Sequence, residues 1–175
     1  MYQCASHELD SAKRVRLLGS GAILREIVAA GALLAEDWQV ASDIWSVTSY
    51  SELAREARAS ERWNRLHPEQ EPKLSHVQRC LAGDAPVIAA SDYVRAYPQL
   101  IGSYIDARFI ALGTDGFGRS DTRAALRRFF EVDRYQITLA ALHALARSGA
   151  LARSVVSAAI KRYAIDPEAP APWAT

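Results

Sequence analysis

The segment Gly113-Thr-Asp-Gly-Phe-Gly-Arg-Ser-Asp121 holds the densest set of chemistry-bearing residues in the chain: three glycines, two carboxylates, a guanidinium and two hydroxyls in nine positions. Glycines let a backbone approach a ligand or another segment closely, and the polar groups between them could hold an anion or a partner. The segment follows the apolar run at 108–112, and open α/β sheets place their sites beyond the carboxyl ends of strands. Gly113, Asp115, Phe117, Gly118, Arg119, Ser120 and Asp121 are therefore candidate binding residues, and Arg123 and Arg127 extend the same face along the next helix. The plainer reading is a tightly packed loop, with Asp121 capping a helix and the arginines paired with nearby Asp121, Glu131 and Asp133.

Other constellations carry weaker chemistry. Gly19-Ser20-Gly21 sits between a strand and a helix, where exposed amides attract anions. A dinucleotide fingerprint needs a third small residue, and Leu24 stands there, so a structural turn is expected. No GxxxxGK[ST] and no GxSxG occurs, which removes the phosphate-binding loop and the usual nucleophile elbow. The four histidines are dispersed. His76 and Cys80, one helical turn apart, could give two metal ligands, but Cys80 in the core with His76 at its rim is the simpler arrangement.

The chain has 175 residues and a mass of 19.2 kDa, the size of a single domain. Half of the residues are hydrophobic and 23% are charged, as in a soluble protein with a packed core. A formal charge of +1 argues against a nucleic-acid partner. No apolar run nears the ~18 residues of a membrane helix, and the N-terminus lacks the pattern of a signal peptide. Two cysteines without CxxC spacing point to reduced thiols and a cytoplasmic protein.

To position these residues, short β-type runs must alternate with helical patterns. Strands are expected at 14–18, 43–47, 86–90 and 108–112, with an edge strand near Tyr2. Helices are expected at 23–34, 52–63, around 74–81 with Gly83 as left-handed cap, and after Ser91 or Asp92 with a kink at Pro98. Further helices are expected from Ser120 or Asp121 to about Phe130, over 135–147 closed by Gly149, and over 154–163. Residues 166–175, rich in proline, read as an extended tail. Such alternation predicts a largely parallel sheet with helices on both faces.

At this point a resemblance enters. Residues 113–123, continuing through Leu126-Arg-Arg-Phe-Phe-Glu-Val-Asp-Arg-Tyr135, closely resemble the C-terminal domain of the bacterial homodimeric-type pyruvate dehydrogenase decarboxylase family. So do Leu17-Leu-Gly-Ser-Gly-Ala-Ile-Leu-Arg-Glu26, Trp45-Ser-Val-Thr-Ser49, Glu61-Arg-Trp-Asn-Arg-Leu-His-Pro68, Ile165-Asp-Pro167 and Pro172-Trp173. The blocks fall in order across nearly the whole chain. The resemblance implies an α/β fold of transketolase C-terminal type: a three-layer α/β/α sandwich around a mostly parallel five-stranded mixed sheet with one antiparallel strand. It implies that residues 1–175 are the last domain of a three-domain enzyme that decarboxylates pyruvate and reductively acetylates lipoyl groups. Thiamine diphosphate and magnesium belong to the upstream domains of that family. The family's GDG motif with its following asparagine is absent here, because the only asparagine, Asn64, lies upstream of Thr114-Asp-Gly116. No catalytic, cofactor or metal residue maps onto this chain. The implied partners are the upstream domains, a homodimer mate and the acyltransferase component, with the 113–127 residues as the interface. The alternatives are a related 2-oxo acid dehydrogenase or transketolase-like subunit, and a stand-alone interaction or regulatory module.

Overall fold

The computed structural model describes residues 1–10 and 13–174. Its five strands are β1 (Tyr2–His7), β2 (Arg14–Gly19), β3 (Ala41–Ser46), β4 (Val87–Ala90) and β5 (Phe109–Leu112). They form one sheet in the order β1-β3-β2-β4-β5. The last four are parallel, and β1 pairs antiparallel with β3. The seven helices are α1 (Leu24–Trp38), α2 (Tyr50–Leu66), α3 (His76–Cys80), α4 (Ala96–Gln99), α5 (Arg123–Phe129), α6 (Arg134–Arg147) and α7 (Arg153–Arg162).

Alternation along the strands divides the interior into two layers. Val15, Leu17, Ile44, Ile88 and Ala90 face α1, α6 and α7, where they meet Ile27, Leu34, Ile137 and Leu142. Leu18, Val87 and Ala89 face the other way, toward Leu53, Ala54, Val77 and Ile101. Strand β4 is buried at every residue, as expected for a continuous apolar run inside a parallel sheet. The result is the three-layer α/β/α sandwich with a mixed five-stranded sheet that the sequence implied.

Several boundaries differ from expectation for local reasons. The cap of α5 is Thr122, whose side chain accepts from Ala125 N–H. Neither Ser120 nor Asp121 caps the helix; the Asp121 carboxylate accepts from Thr122 N–H at 2.6 Å, holding the cap in place. Gly83 does not end α3. That helix stops at Leu81, which turns into the core, and Gly83 takes its positive φ of 96° in the following turn. Helix α4 is only four residues long. Ser91 Oγ accepts from Tyr93 N–H at 3.1 Å, which closes a local turn in place of a helix cap.

The tail is not extended throughout. Pro172–Ala174 forms a turn of 3-10 helix, because Pro172 is buried against the 113–116 loop; Thr175 lies outside the described residues. No helix among the described residues is long and apolar enough to cross a membrane.

Candidate functional site

Strand β5 ends at Leu112, and the 113–121 loop leaves from the carboxyl edge of the sheet. Neighbouring loops after β2, β3 and β4 leave from the same edge, as they must in parallel strands. The loop is fastened to the 91–95 segment after β4. Thr114 N–H donates to Tyr93 O at 3.0 Å, and Thr114 Oγ1 donates to Asp92 O at 3.0 Å. Asp115 accepts from Arg95 N–H at 2.9 Å, and its second oxygen pairs with Arg95 Nε, also at 2.9 Å. The Arg95 guanidinium then lies over the Trp173 ring, 4.9 Å from its centroid. One carboxylate thus ties the loop after β5 to the loop after β4, and the arginine carries the tie on to the tail.

Two glycines make this fastening possible. A Cβ at Gly113 would lie 2.5 Å from Arg95 N and 2.6 Å from Tyr93 O. Gly116 has φ +100°, and a Cβ there would lie 2.8 Å from Pro172 O. Gly118 is different: nothing lies within 4 Å of its Cβ position. Between them Phe117 projects outward and is 84% exposed.

Beyond the loop, a cavity of about 410 Å³ opens between the start of α1, the 114–119 loop and α5. Ile23, Leu126, Phe130 and Val132 supply apolar walls, and Asp92, Thr114, Arg119, Arg123 and Arg127 supply polar ones. Arg119 also lies over the Phe129 ring at 4.1 Å. Ser120 and Asp121 line a neighbouring depression with Arg119 and Phe129. The structure therefore brings the sequence-selected residues to one edge of the sheet but gives them different work. Gly113 and Asp115 bind the loop down, Phe117 and Gly118 form an exposed crest, and Arg119 and Arg123 line the cavity. Arg127 is turned toward an internal carboxylate.

That carboxylate, Glu26, is the residue that sequence reasoning did not single out. It is 4% exposed. Arg127 Nη1 donates to its Oε1 at 2.8 Å, and Arg134 Nε donates to its Oε2 at 2.9 Å. The Arg134 backbone N–H adds a third contact at 3.2 Å. The signal was present, since Glu26 falls three residues after Ile23 and four before Ala30, on the buried stripe of α1. A second tie fixes the far end of α1. Arg162 Nη2 reaches Asp37 at 2.6 Å, Tyr163 Oη reaches Asp37 at 3.0 Å, and Trp38 Nε1 donates to Tyr163 Oη at 2.7 Å. Burial, with Asp37 beside it, pushes the Tyr163 phenol up to about 12.

Burial alone would raise the Glu26 carboxyl, but the bonds and charges of Arg134 and then Arg127 outweigh it and hold the group below its ordinary range. A folded pKa below the unfolded one makes the stabilisation fully present above the unfolded carboxylate value, about 4.3. It is lost as pH falls through the lower folded value. Melting temperatures measured from pH 6 down to pH 3 should therefore fall less steeply in Glu26→Gln than in the wild-type chain. Parallel curves would mean that Glu26 does not carry that part of the acid sensitivity.

The remaining sequence candidates resolve as local structure. Ser20 Oγ donates to Ser91 Oγ at 3.0 Å, and the Asp92 carboxylate sits beside Gly21, 2.9 Å from where a Cβ would be. A second anion at the Gly19–Gly21 turn would meet that charge. His76 Nε2 is 2.9 Å from Met1 O, and Cys80 Sγ is 3.4 Å from the same nitrogen. Burial raises the Cys80 thiol. Among the described residues no three His, Cys, Asp or Glu side chains are grouped to hold a metal. The residues here do not fit thiamine diphosphate with its magnesium: Asp115 of the Thr-Asp-Gly triplet is engaged by Arg95, and the Asp92 carboxylate faces the Gly19–Gly21 turn, where it would repel a diphosphate.

Residues 1–133 match the family model described as transketolase-like TK C-terminal domain. The chain is 55% identical over 166 residues to the pyruvate dehydrogenase E1 component of Cupriavidus necator, an alignment covering 94% of this chain and 18% of the relative. It is 51% identical over 170 residues to the protein of the same name from Pseudomonas aeruginosa, covering 96% and 19%. Among solved structures, the transketolase from Leishmania mexicana aligns with a TM-score of 0.47 and 18% identity, over 95% of this chain and 19% of that one. The chain spans about a fifth of the length of the curated relatives it matches.

Proposed function

The chain belongs to the transketolase-like C-terminal domain family, and from that premise we propose that it is the last domain of a pyruvate dehydrogenase E1 polypeptide. The longer protein decarboxylates pyruvate and transfers the acetyl group to lipoyl arms, with thiamine diphosphate and magnesium held by its preceding domains. This domain supplies no catalytic group. It packs against those domains, supports the dimer and presents the 113–127 edge, from Gly113 and Asp115 to Arg123 and Arg127, to its neighbours, the acyltransferase component included. The observation that carries the reading is the 55% identity across 94% of the chain, too extensive to reflect shared fold alone. The engagement of Asp115 and Glu26 in internal ion pairs supports a supporting role over a chemical one, since a general acid or base must be able to reach a substrate proton.

The test is deletion. Removing this region from the longer polypeptide should abolish pyruvate-dependent reductive acetylation of lipoyl domains, with the truncated protein unable to hold its dimer. A truncated protein that stays dimeric and fully active would refute the proposal.

A further inference from the structure

The carboxyl edge of the sheet carries more exposed aromatic surface than the fold needs. Phe117 is 84% exposed, Tyr93 61%, Trp173 55% and Tyr97 43%. They come from three segments that are bound to one another: the 91–97 segment after β4, the 113–118 loop after β5, and the tail. Tyr93 and Tyr97 meet edge to face at 5.0 Å. Arg95 lies over Trp173 and is held from behind by Asp115. Gly116 seats the Pro172–Trp173 backbone. The aromatic side chains thus stand on a rigid base and can be covered without first being ordered, which removes one of the costs of association. Aromatic residues and arginine are also the residue types enriched at protein interfaces, and a grouped apolar surface of this kind marks an interaction site where scattered ones do not.

We propose that this aromatic belt of Tyr93, Tyr97, Phe117 and Trp173 is the seat of the polypeptide that precedes Met1 in the longer chain. The proposal rests on the E1 reading above and gives it a specific surface. Two observations select this occupant. Strand β1 runs antiparallel to β3, with Tyr2 opposite Ser46, so residue 1 lies at the carboxyl edge of the sheet, the same edge as the belt. At the spacing of neighbouring strands, β4 and β5 stand only about 14–19 Å across the sheet from β1. The relatives are about five times longer than the matched region, so a chain of their length joins this fold on the side where the aromatics are uncovered. At the end of α2, where Leu66 and Leu74 are exposed, the bound aromatic is a single half-buried ring, Trp63, stacked on His67 and covered by Lys73, not a group of exposed ones.

Hydroxyl-radical footprinting of the longer polypeptide against the 175-residue chain separates the outcomes. The four belt residues should label about tenfold more slowly in the longer protein, as side chains withdrawn from water do. Belt residues labelled equally in both proteins, with protection on another face of the domain, would overturn this surface and leave the E1 reading standing. No change anywhere in the domain would overturn the packing claim of the E1 reading and the belt with it. Protection that appears in the 175-residue chain alone as its concentration rises would assign the belt to a second copy and overturn the proposal.

Discussion

Replacing Glu26 with alanine is expected to lower the unfolding free energy by about 3–5 kcal/mol, the range for breaking a buried ion pair by removing one partner. Among the described residues Glu26 is the buried carboxylate that joins three helices: it sits near the start of α1 and holds Arg127 of α5 and Arg134 at the start of α6. Without it, Arg127, whose side chain is 19% exposed, loses its carboxylate in a poorly hydrated position. Arg134 is 43% exposed and can rehydrate, so its share is discounted toward the ~1 kcal/mol of an exposed pair. The lower half of the range is therefore expected. Urea unfolding followed by circular dichroism measures it. Glu26→Gln keeps the shape and the hydrogen-bond acceptor, so it should lose less than alanine. A loss below about 1 kcal/mol for Glu26→Ala would mean that α5 and α6 are held by apolar packing alone.

The second large effect is at Gly113. A side chain there meets backbone atoms on the facing segment, at 2.5 Å from Arg95 N and 2.6 Å from Tyr93 O. Neither can move as the tip of a flexible side chain can. Gly113→Val should destabilise by at least the ~1–3 kcal/mol of an overpacked interior. It should also detach the loop, because Thr114 and Asp115 bond to the same segment. Gly118→Ala, in the same loop as Gly113 but facing open space, should change stability by less than about 0.5 kcal/mol. The pair of variants discriminates between glycine used for close approach and glycine present for other reasons. Equal effects at the two positions would contradict the packing described here.

Much of this was legible in the residues. The run at 86–90 is apolar throughout, and it is the strand buried on both faces. Ile23, Ile27, Ala30 and Leu34 recur at helical spacing, and they are the buried stripe that leads into and along α1, which packs on β2 and β3. The antiparallel edge strand was visible only faintly, because burial along Tyr2–His7 is almost entirely exposed and alternation leaves little trace on an open edge. Residues 113–121 stand out in the sequence by composition, yet their division of labour is not readable there. Whether an aspartate caps, bridges or binds depends on what the fold sets opposite it, and Arg95 lies twenty positions away from Asp115. The place of Glu26 on the buried stripe of α1 is readable from spacing, but its partners are not, because Arg127 and Arg134 are more than a hundred residues distant. The exposure of Phe117 and Trp173 likewise depends on three segments converging at one edge.

The most direct test of the central claim, that this domain completes an enzyme without performing its chemistry, is reconstitution. The longer polypeptide lacking this region is mixed with thiamine diphosphate, magnesium and pyruvate, and release of carbon dioxide is followed before and after the 175-residue chain is added. The account predicts no turnover by the chain alone, little by the truncated protein, and recovery when the two are combined. Turnover of pyruvate by the chain alone, or a truncated protein already fully active, would contradict it.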